Sequence, residues 1–382
     1  MPDKKRLLII TSSYPHDTTD GRAAAGFFVK DFINKISGLS DVTVLTQHTG
    51  EGPYHIKEKQ YSVIRFPWRG KSRPLSTLRF PQDIFLILSV MSAGIFASIQ
   101  QIRKKEIDHV IAMWAIPCGI WALVLKKIYK IPYTVWCLGA DVWNYQNSRL
   151  SKVILRLVLK NADKVYADGF ELRDTIKNIT QVDCSYLPSS RYFTPPNNHY
   201  ILKPTGVRHY LFVGRYHPNK GPDILIEAIN LLPDNIRSNI HCHIYGGGPL
   251  LNELKSLIQQ FQLEDFITLG DFIGETRLTE IVNAADVIVV PSRKDTISLM
   301  ISAALQMNKS IIATDVGDMG YILKKYNAGS VVPDESAELL AHAIQRDLLE
   351  PDVFSAERAD LIELLDISKS VADMLESITR TR

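Results

Sequence analysis

Short apolar runs alternate with helical patterns along almost the whole chain. In the first half, apolar runs predict strands at residues 6–11, 42–46, 107–112, 133–137 and 164–167. Apolar positions three and four residues apart predict helices at residues 26–37, 82–104, 117–129 and 149–161. In the first helix, Phe28, Phe32 and Ile36 fall on one face, and we expect that face to be buried.

The second half repeats the alternation, with strands predicted at residues 209–213, 240–245, 266–269, 287–290 and 310–314. Strands that alternate with helices are typical of parallel sheets wound by right-handed crossovers. The sequence therefore predicts an α/β protein. Its two doubly wound, Rossmann-like domains, residues 1–200 and 204–365, face a central cleft that is the expected ligand site. Residues 188–204, with four prolines and two asparagines, form the predicted linker, and a helix at about 366–382 is expected to pack on the first domain.

The composition excludes a disordered chain and indicates the compartment. Of the 382 residues, 46% are hydrophobic and 22% are charged, as in an ordinary globular protein. The four cysteines are scattered without a CxxC pair, which fits unpaired thiols in a reducing compartment. The apolar run at residues 7–10 is too short for a signal peptide, and that at 84–99 is too short for a membrane span. We expect a cytoplasmic protein in which residues 84–99 form a buried helix.

The net charge of +3 conceals an asymmetry between the two halves. Residues 1–200 carry 27 Lys and Arg against 16 Asp and Glu, whereas residues 201–382 carry 17 against 25. Opposite signs suggest different partners for the two domains. Residues 57–79 hold seven basic residues and one acid, so this segment is either a solvated loop or a peripheral contact with an anionic membrane leaflet or phosphorylated lipid. No nucleic-acid motif accompanies the charge, and nucleic acid is not expected as a partner.

The strongest chemical motif is the run that begins at Tyr210 and reads YLFVGRYHPNKGPDILIEAI. A predicted strand ends at Gly214, Arg215 follows, and Lys220 and Gly221 open a helix. A diphosphate needs cationic donors beside backbone that approaches closely, and these residues supply both. The alternative is an ordinary strand-to-helix turn with solvated charges.

A second motif begins at Asp286 and reads DVIVVPSRKDTISLMISAALQ. Its strand ends at Pro291 and Ser292, and a helix begins near Ser298, where free amides and the helix dipole suit a phosphate. Asp295 lies just before the helix and either hydrogen-bonds sugar hydroxyls or caps the helix.

Three further loops carry weaker signals. Gly246 belongs to the run YGGGP after a predicted strand, where glycines either admit a base or ribose or form a structural turn. In the first half, the loop after the strand at 6–11 contains Tyr14, Gly21 and Gly26, and the segment LGADVW contains Gly139 and Asp141. We expect these loops at the cleft edge, in contact with donor or acceptor, although each one alone could be a turn.

The order of these motifs resembles the family 4 retaining glycosyltransferases of GT-B fold. The resemblance rests on VGRxxxxKG, GGGP, ADVIVVPS and ATDVGD, is most specific over residues 208–332, and continues more loosely through SSYP, WAIPCG and LGADVW. It implies an enzyme of the hexosyltransferase type (EC 2.4) in polysaccharide or glycoconjugate assembly. Such an enzyme would move a sugar from a UDP- or GDP-linked donor to a saccharide or lipid-linked saccharide, with retention and without a metal or other cofactor.

The resemblance also implies roles for single residues. Arg215 and Lys220 match the pair that neutralises the donor diphosphate, and Asp295 falls where the family has a glutamate near the donor sugar. Catalysis would rest on these three residues. The remaining donor contacts implied are Gly214, Gly246, Ser292, Ile297, Ser298, Leu299 and Ala303.

The sequence departs from the family at four places. Ala303 stands where a glutamate grips the ribose hydroxyls, and Leu138 stands where many members have histidine. Ser189-Ser190 replace Asn-Gly, and Ser298 replaces glycine or proline. Ala303 and Leu138 keep open a second interpretation, a non-catalytic GT-B protein with a binding or scaffold role. A third and weaker one is a sugar-nucleotide epimerase of the same fold.

Two other features are interpreted as structural. His241 and His243 lie two apart on one predicted strand with no third ligand nearby in sequence, so a metal site is not expected. The apolar stripe from residue 85 to residue 96 is expected to face the core, with a lipid contact as the alternative.

Overall fold

The computed structural model describes residues 4–15, 26–50, 52–70, 73, 75–145, 148–196, 200–333, 335–351 and 357–380. The chain divides into two compact units. Of the described residues, the first unit holds those of 4–15, 26–189 and 367–380, and the second holds those of 190–366. The division near Ser189 falls inside the proline-rich segment at 188–204.

The first unit is built on an eight-stranded sheet of order β3-β4-β2-β1-β5-β6-β7-β8, parallel except for β3 against β4. Its strands are β1 Arg6–Thr11, β2 Asp41–Gln47, β3 His55–Lys57, β4 Tyr61–Phe66, β5 His109–Met113, β6 Tyr133–Cys137, β7 Lys164–Ala167 and β8 Ser185–Tyr186. Its helices are α1 Phe27–Ser37, α2 Ile84–Lys104, α3 Ile120–Tyr129, α4 Ala140–Trp143, α5 Arg149–Asn161, α6 Phe170–Thr180 and, from the chain's end, α15 Ile367–Arg380.

The second unit is built on a six-stranded parallel sheet of order β11-β10-β9-β12-β13-β14. Its strands are β9 Arg208–Arg215, β10 Ile240–Gly247, β11 Ile267–Gly270, β12 Val287–Val290, β13 Ser310–Thr314 and β14 Ser330–Val332. Its helices are α7 Pro222–Leu231, α8 Asp234–Arg237, α9 Leu251–Gln260, α10 Glu275–Ala284, α11 Leu299–Gln306, α12 Met319–Lys325, α13 Ala337–Leu349 and α14 Glu357–Leu364.

Both faces of the first sheet are covered by helices. Phe28 and Phe32 of α1 pack on Trp136 of β6, with ring centroids 6.1 and 5.1 Å apart, so the predicted amphipathic face is buried. The helix α15 contacts α1 and covers the same face of the sheet. The opposite face is covered by α2, α3, α5 and α6, whose buried side chains join those of the strands in one apolar core.

Two expectations for the first unit are wrong. Residues 57–79 are not one solvated loop, because Tyr61–Phe66 forms β4 and the Arg65 side chain is buried, donating to the Pro15 carbonyl at 3.0 Å. The apolar stripe of α2 does not face the core, since the phenyl rings of Phe85 and Phe96 are 75% and 71% exposed. The helix instead buries Val90, Gly94, Ala97, Ser98 and Gln101.

Helix α2 also meets the length and hydropathy that a membrane span requires. Its most apolar window has a mean hydropathy of 1.7, and 28% of that window is buried in the protein. Within the described residues it is the single helix with these properties. Because α2 connects β4 to β5 of one sheet and packs on α3, it is an integral helix of the first unit.

Candidate functional site

The candidate site lies where the order of the second sheet reverses. From β9 the chain adds β10 and β11 on one side and then crosses to β12 on the other. Open parallel sheets bind ligands outside the carboxyl ends of their strands at such a switch point. The two loops that leave this point, residues 216–221 after β9 and residues 291–298 after β12, carry the strongest motifs of the sequence.

The Lys220 and Asp295 side chains meet at this point. The Lys220 ammonium donates to Asp295 Oδ2 at 2.5 Å, and the Ser292 hydroxyl donates to the same oxygen at 3.4 Å. Both members of the ion pair are partly exposed, the lysine more than the aspartate. A cation and a carboxylate from separate loops therefore meet in one partly exposed ion pair.

A second ion pair fastens the two loops to each other. The Arg293 guanidinium donates to both oxygens of Asp223 at 2.9 and 2.6 Å and to the Pro218 carbonyl at 2.8 Å. The Asn219 carbonyl accepts from the amides of Arg293 and Lys294. A two-pronged Arg–carboxylate pair fixes orientation as well as distance, so this contact holds Lys220 next to Asp295.

Gly221 permits the turn that delivers Lys220. Its φ of +63° is left-handed, and a Cβ at this position would lie 1.9 Å from the Pro291 carbonyl oxygen. Any other residue would have to push the two loops apart, and glycine carries no such penalty. The glycine that follows the lysine in the motif is thus required by the contact between the loops.

Arg215 and His217 complete the charged part of the site. The Arg215 side chain is exposed, and among the described residues it makes no side-chain hydrogen bond or ion pair. Burial lowers the pKa of His217, and the positive charges of Arg215 and Lys220 lower it further, which brings both cations into the neighbourhood of this imidazole. His217 Nδ1 accepts from the Asn219 amide at 3.2 Å, so its Nε2 carries the hydrogen.

The start of α11 supplies unpaired backbone donors. Ser298 is its N-cap, and the serine hydroxyl accepts from the Met300 amide at 3.3 Å. The cap is therefore Ser298 and not Asp295, whose second oxygen accepts from the Thr296 amide at 3.2 Å. The Ile297 side chain is buried, so only its backbone is available to a ligand, and Leu299 begins the helix.

Gly214 and Gly246 are paired backbone positions of β9 and β10. They lie opposite each other in the parallel register, and a Cβ on Gly246 would fall 1.8 Å from the Gly214 carbonyl oxygen. This close approach explains Gly246 by strand packing, which is the structural alternative for that glycine. Both residues lie at the carboxyl edge of the second sheet, from which β9 continues to His217 and β10 continues to Leu250.

Ala303 lies on α11 and is completely buried. It is flanked by Ser302 and Gln306, whose side chains both donate to the Arg191 carbonyl, at 3.4 and 2.7 Å. No carboxylate stands at this turn of the helix, as the sequence states.

The predicted loops of the first unit adopt well-packed structures. Tyr14 is buried, with its hydroxyl 2.8 Å from the Tyr61 hydroxyl, and burial raises its pKa. Gly26 precedes α1 against Pro15, and Gly21 lies outside the described residues. These contacts give Tyr14 and Gly26 a structural role whether or not the loop also meets a ligand.

Asp141 is a buried carboxylate that ties two turns together. It accepts from the Ala115 amide at 2.6 Å and from the Leu138 amide at 3.0 Å, directly beside Gly139, whose φ is +100°. Burial raises the pKa of the Asp141 carboxyl to about 6, although the backbone amides act in the opposite direction. The turn after β6 is thus held by Asp141 from within.

The sequence interpretation missed four contributors to the second unit. Asp223, Arg293 and Asn219 fasten the loops, and His217 lies beside both cations. All four fall inside the two quoted motifs, but their mutual contacts depend on the register of β9 beside β12, which cannot be read from the sequence. His209 was also missed. Its Nδ1 lies 3.0 Å from His243 Nε2, so three histidines and not two cluster on β9 and β10.

The family model that describes glycosyl transferases group 1 matches residues 198–363. This region, which is less than half of the 382-residue chain, is similar to glycosyl transferases group 1 domains. It coincides with the second unit, which carries the Lys220–Asp295 pair and the fastened loops. The predicted transferase is confirmed at the level of this domain.

Curated relatives of this glycosyltransferase domain extend into the first unit. A teichuronic acid biosynthesis glycosyltransferase of Bacillus subtilis, TuaC, assigned as putative, is 28% identical over 366 residues, which cover 89% of this chain and 88% of TuaC. An uncharacterized glycosyltransferase of Methanocaldococcus jannaschii is 26% identical over 58% of this chain. In that second case the match spans 60% of the relative's own length.

Solved structures confirm the GT-B fold. Sucrose-phosphate synthase from Thermosynechococcus elongatus superimposes with a TM-score of 0.77 at 18% identity and covers 98% of both chains. Anabaena HepE in complex with UDP and glucose superimposes with a TM-score of 0.72 at 14% identity, over 98% of this chain and all of the other. These likenesses extend the fold assignment from the domain at 198–363 to nearly the full chain.

Proposed function

We propose that the protein is a retaining glycosyltransferase that moves a sugar from a nucleoside diphosphate to a saccharide or lipid-linked saccharide. The observation that carries the proposal is the meeting of Lys220 and Asp295 beside the start of α11. A diphosphate and the sugar attached to it need a cation, helix amides and a hydroxyl acceptor within a few ångströms. The glycosyl transferases group 1 domain and the full-length match to TuaC support this assignment.

In the proposed reaction the bond from the sugar's anomeric carbon to the diphosphate oxygen breaks, and an acceptor hydroxyl oxygen forms the new bond on the same face. The acceptor's proton passes to the departing phosphate. Lys220, Arg215 and the amides at the start of α11 stabilise the negative charge that develops on the leaving group. Because Lys220 lies near the start of α11 and Arg215 lies near His217 of the loop that carries Lys220, we propose that this charge needs no metal ion.

The proposed role of Asp295 is to orient the sugar. Its Oδ2 accepts from Lys220 and Ser292, while its backbone turn places Thr296 and Ile297 ahead of the helix. A carboxylate in this position accepts hydrogen bonds from sugar hydroxyls, which are worth about 1.5–3 kcal/mol each because the acceptor is charged. Ser298 and Leu299 would add backbone contacts to the same group.

The proposed partners are a UDP- or GDP-linked sugar and an acceptor at the cytoplasmic side of a membrane. HepE was crystallised with UDP and glucose, which favours a uridine nucleotide. The assignment of TuaC to teichuronic acid biosynthesis favours a saccharide polymer as the product. We further propose peripheral membrane contact through the basic first unit.

Calorimetric titration of UDP and GDP into the purified chain tests the proposal. We expect micromolar binding of one of them, and we expect Lys220→Ala to weaken it about 10- to 100-fold, because one charged hydrogen bond is lost. The matched control is Lys255→Ala, an exposed lysine of α9 in the same domain.

Two outcomes would contradict the proposal. If the native chain bound neither nucleotide, the non-catalytic GT-B protein suggested by Ala303 would be the better account. If Lys220→Ala bound as tightly as the native chain, the diphosphate would have to lie elsewhere. Equal weakening by Lys255→Ala would point to net charge and not to a site.

A further inference from the structure

One helical layer of the first unit presents its outer side to solvent with an unusual composition. The helices α2, α3 and α5 lie side by side on the same face of the eight-stranded sheet. Their inner sides join the apolar core. Their outer sides carry large apolar residues next to basic ones.

Helix α2 has its small residues inside and its large ones outside. Gly94, Ala97 and Ser98 face the sheet and α3, and the Trp121 indole of α3 donates to the Met91 carbonyl at 3.2 Å. Phe85, Leu88 and Phe96 occupy the exposed stripe. Exposing two phenyl rings gives up about 1.5–3 kcal/mol each of burial, so this stripe is not explained by folding.

Helix α5 shows a second apolar ridge. Leu150, Val153 and Leu157, spaced three and four residues apart, are 70%, 62% and 53% exposed. Leu155, Val158 and Leu159 are buried on the opposite side. The ridge is bordered along the helix by four basic residues and no acid, which are Arg149, Lys152, Arg156 and Lys160.

The charge of this layer is strongly positive. Residues 84–162 hold ten Lys and Arg against three Asp and Glu. Outside this range Asp163 pairs with Lys126 of α3, but none of the three acids within it offsets the charge at this surface. Asp141 is buried, and Glu106 and Asp108 are both paired with Arg6.

The exposed apolar ridges of α2 and α5 begin near one end of the layer. Phe85 and Leu88 begin α2, which follows β4, and Leu150 and Val153 begin α5, which follows β6. Both helices therefore start from the carboxyl edge of the parallel strands. This is the edge that carries Gly139, Asp141 and the other predicted acceptor loops of the first unit.

From these observations we propose that Phe85, Leu88 and Phe96 of α2 and Leu150, Val153 and Leu157 of α5, together the α2–α5 face, dock on an anionic lipid bilayer. Apolar side chains enter the interface while neighbouring Lys and Arg attract acidic headgroups. Charge complementarity selects this occupant, because a neutral apolar partner would gain nothing from the basic border. The helix α2 stays on its sheet and does not span the bilayer.

This proposal deepens the proposed function, since a lipid-linked acceptor would be presented at the docked edge. It nevertheless concerns binding to lipid and not transfer of sugar. If the vesicle test fails, the proposed transferase function is unaffected, and if nucleotide binding fails, the proposed lipid contact is unaffected.

Vesicle flotation of the full chain provides the test. We expect binding to vesicles that contain phosphatidylglycerol, weaker binding to phosphatidylcholine alone, and release by high salt. The triple substitution Arg149→Glu, Lys152→Glu and Lys160→Glu is expected to weaken binding to anionic vesicles about 100-fold, because each basic residue contributes about fivefold. The double substitution Phe85→Ser and Phe96→Ser is expected to weaken it at least tenfold.

Matched controls come from the second unit. Leu349 is 63% exposed on α13, and Lys255 is exposed on α9, so Leu349→Ser and Lys255→Glu should leave flotation unchanged. Circular dichroism of each variant confirms its fold. Absence of native binding, or equal loss in the control variants, would overturn the proposal. Resistance of the bound chain to alkaline extraction would also overturn it, since it would show that α2 spans the bilayer.

Discussion

In the absence of a donor, Asp295 forms an ion pair with the Lys220 ammonium. The pair is half exposed, and exposed pairs contribute only about 0–1 kcal/mol to stability. The main consequence of the pair is electrostatic, because the Asp295 carboxylate partly neutralises the positive charge of Lys220 that would attract a diphosphate. Under the proposed function, sugar hydroxyls would be the partners through which Asp295 favours a complete donor over a bare nucleotide.

The variant Asp295→Ala tests this division of labour. We expect it to bind UDP or GDP as tightly as the native chain or up to about fivefold more tightly, because a negative charge near the phosphates is removed. We expect the corresponding nucleotide sugar to lose its advantage over the bare nucleotide. Calorimetry with both ligands measures the ratio, and an unchanged ratio would contradict the role of Asp295.

The three histidines of β9 and β10 make a separate residue-scale prediction. Burial, with His241 and His209 nearby, lowers the pKa of His243 to about 3. Burial also lowers the pKa values of His209 and His241, although Asp286 raises that of His209. Below about pH 6.5 these histidines bind protons in the unfolded chain but stay neutral in the folded chain. Their contribution to the free energy of unfolding is therefore complete above pH 6.5 and is lost as the pH falls towards 3.

We therefore expect the melting temperature to fall between pH 7 and pH 5, and to fall less in His243→Phe. Calorimetric melts of both proteins at the two pH values give the comparison. Other groups, such as the Asp141 carboxyl, titrate in the same range, but they are common to both proteins and cancel. Equal pH dependence of the two proteins would contradict the burial of a neutral cluster.

At the scale of elements, the site depends on two loops acting as one. The Arg293–Asp223 pair and the Asn219 carbonyl join the turn after β9 to the loop after β12. Lys220 sits on the first loop and Asp295 on the second. Their 2.5 Å contact is therefore a result of loop fastening and not only of mutual attraction.

The variant Arg293→Ala should reveal this dependence. We expect nucleotide binding to weaken about tenfold. Without the ion pair the loops would have to be ordered on binding, and that loss of conformational entropy would reduce the affinity. We expect the cooperative unfolding transition to persist, since the pair joins two loops and lies outside the apolar core of the domain. Titration together with thermal melts separates the two effects, and unchanged affinity would show that the loops are held by other contacts.

The elements also show what the sequence pattern could predict. Continuous apolar runs identified β1, β2, β5 to β7 and β9 to β13, because a buried parallel strand is apolar on both faces. The edge strands β3, β8 and β14 were missed because each is only two or three residues long. The strand β4, which lies between β2 and β3, was missed because Tyr61–Phe66 was counted within a basic segment. For α2 the expectation of a buried Phe stripe was wrong, since periodicity identifies a face and not its surroundings.

At the scale of the whole molecule, the sequence predicted the GT-B fold, which is confirmed, and the two motifs that it assigned to donor binding lie at the switch point of the second sheet. It could not reach the contacts among Lys220, Asp295 and Arg293, because these depend on strand register and on side-chain direction at two loop ends. The charge asymmetry had the right sign for a basic first unit. Within the segment at 57–79 Arg65 is buried and Arg73 pairs with Asp83, and the layer of α2, α3 and α5 carries a further positive excess that the sequence analysis did not single out.

The central claim is that a nucleoside diphosphate binds at the carboxyl edge of the second sheet. Hydrogen–deuterium exchange of the native chain, with and without UDP or GDP, tests it directly. The account predicts slower exchange at residues 214–221, 246–250 and 295–300, where amides surround the diphosphate. Protection confined to other segments, or none at saturating nucleotide, would contradict it.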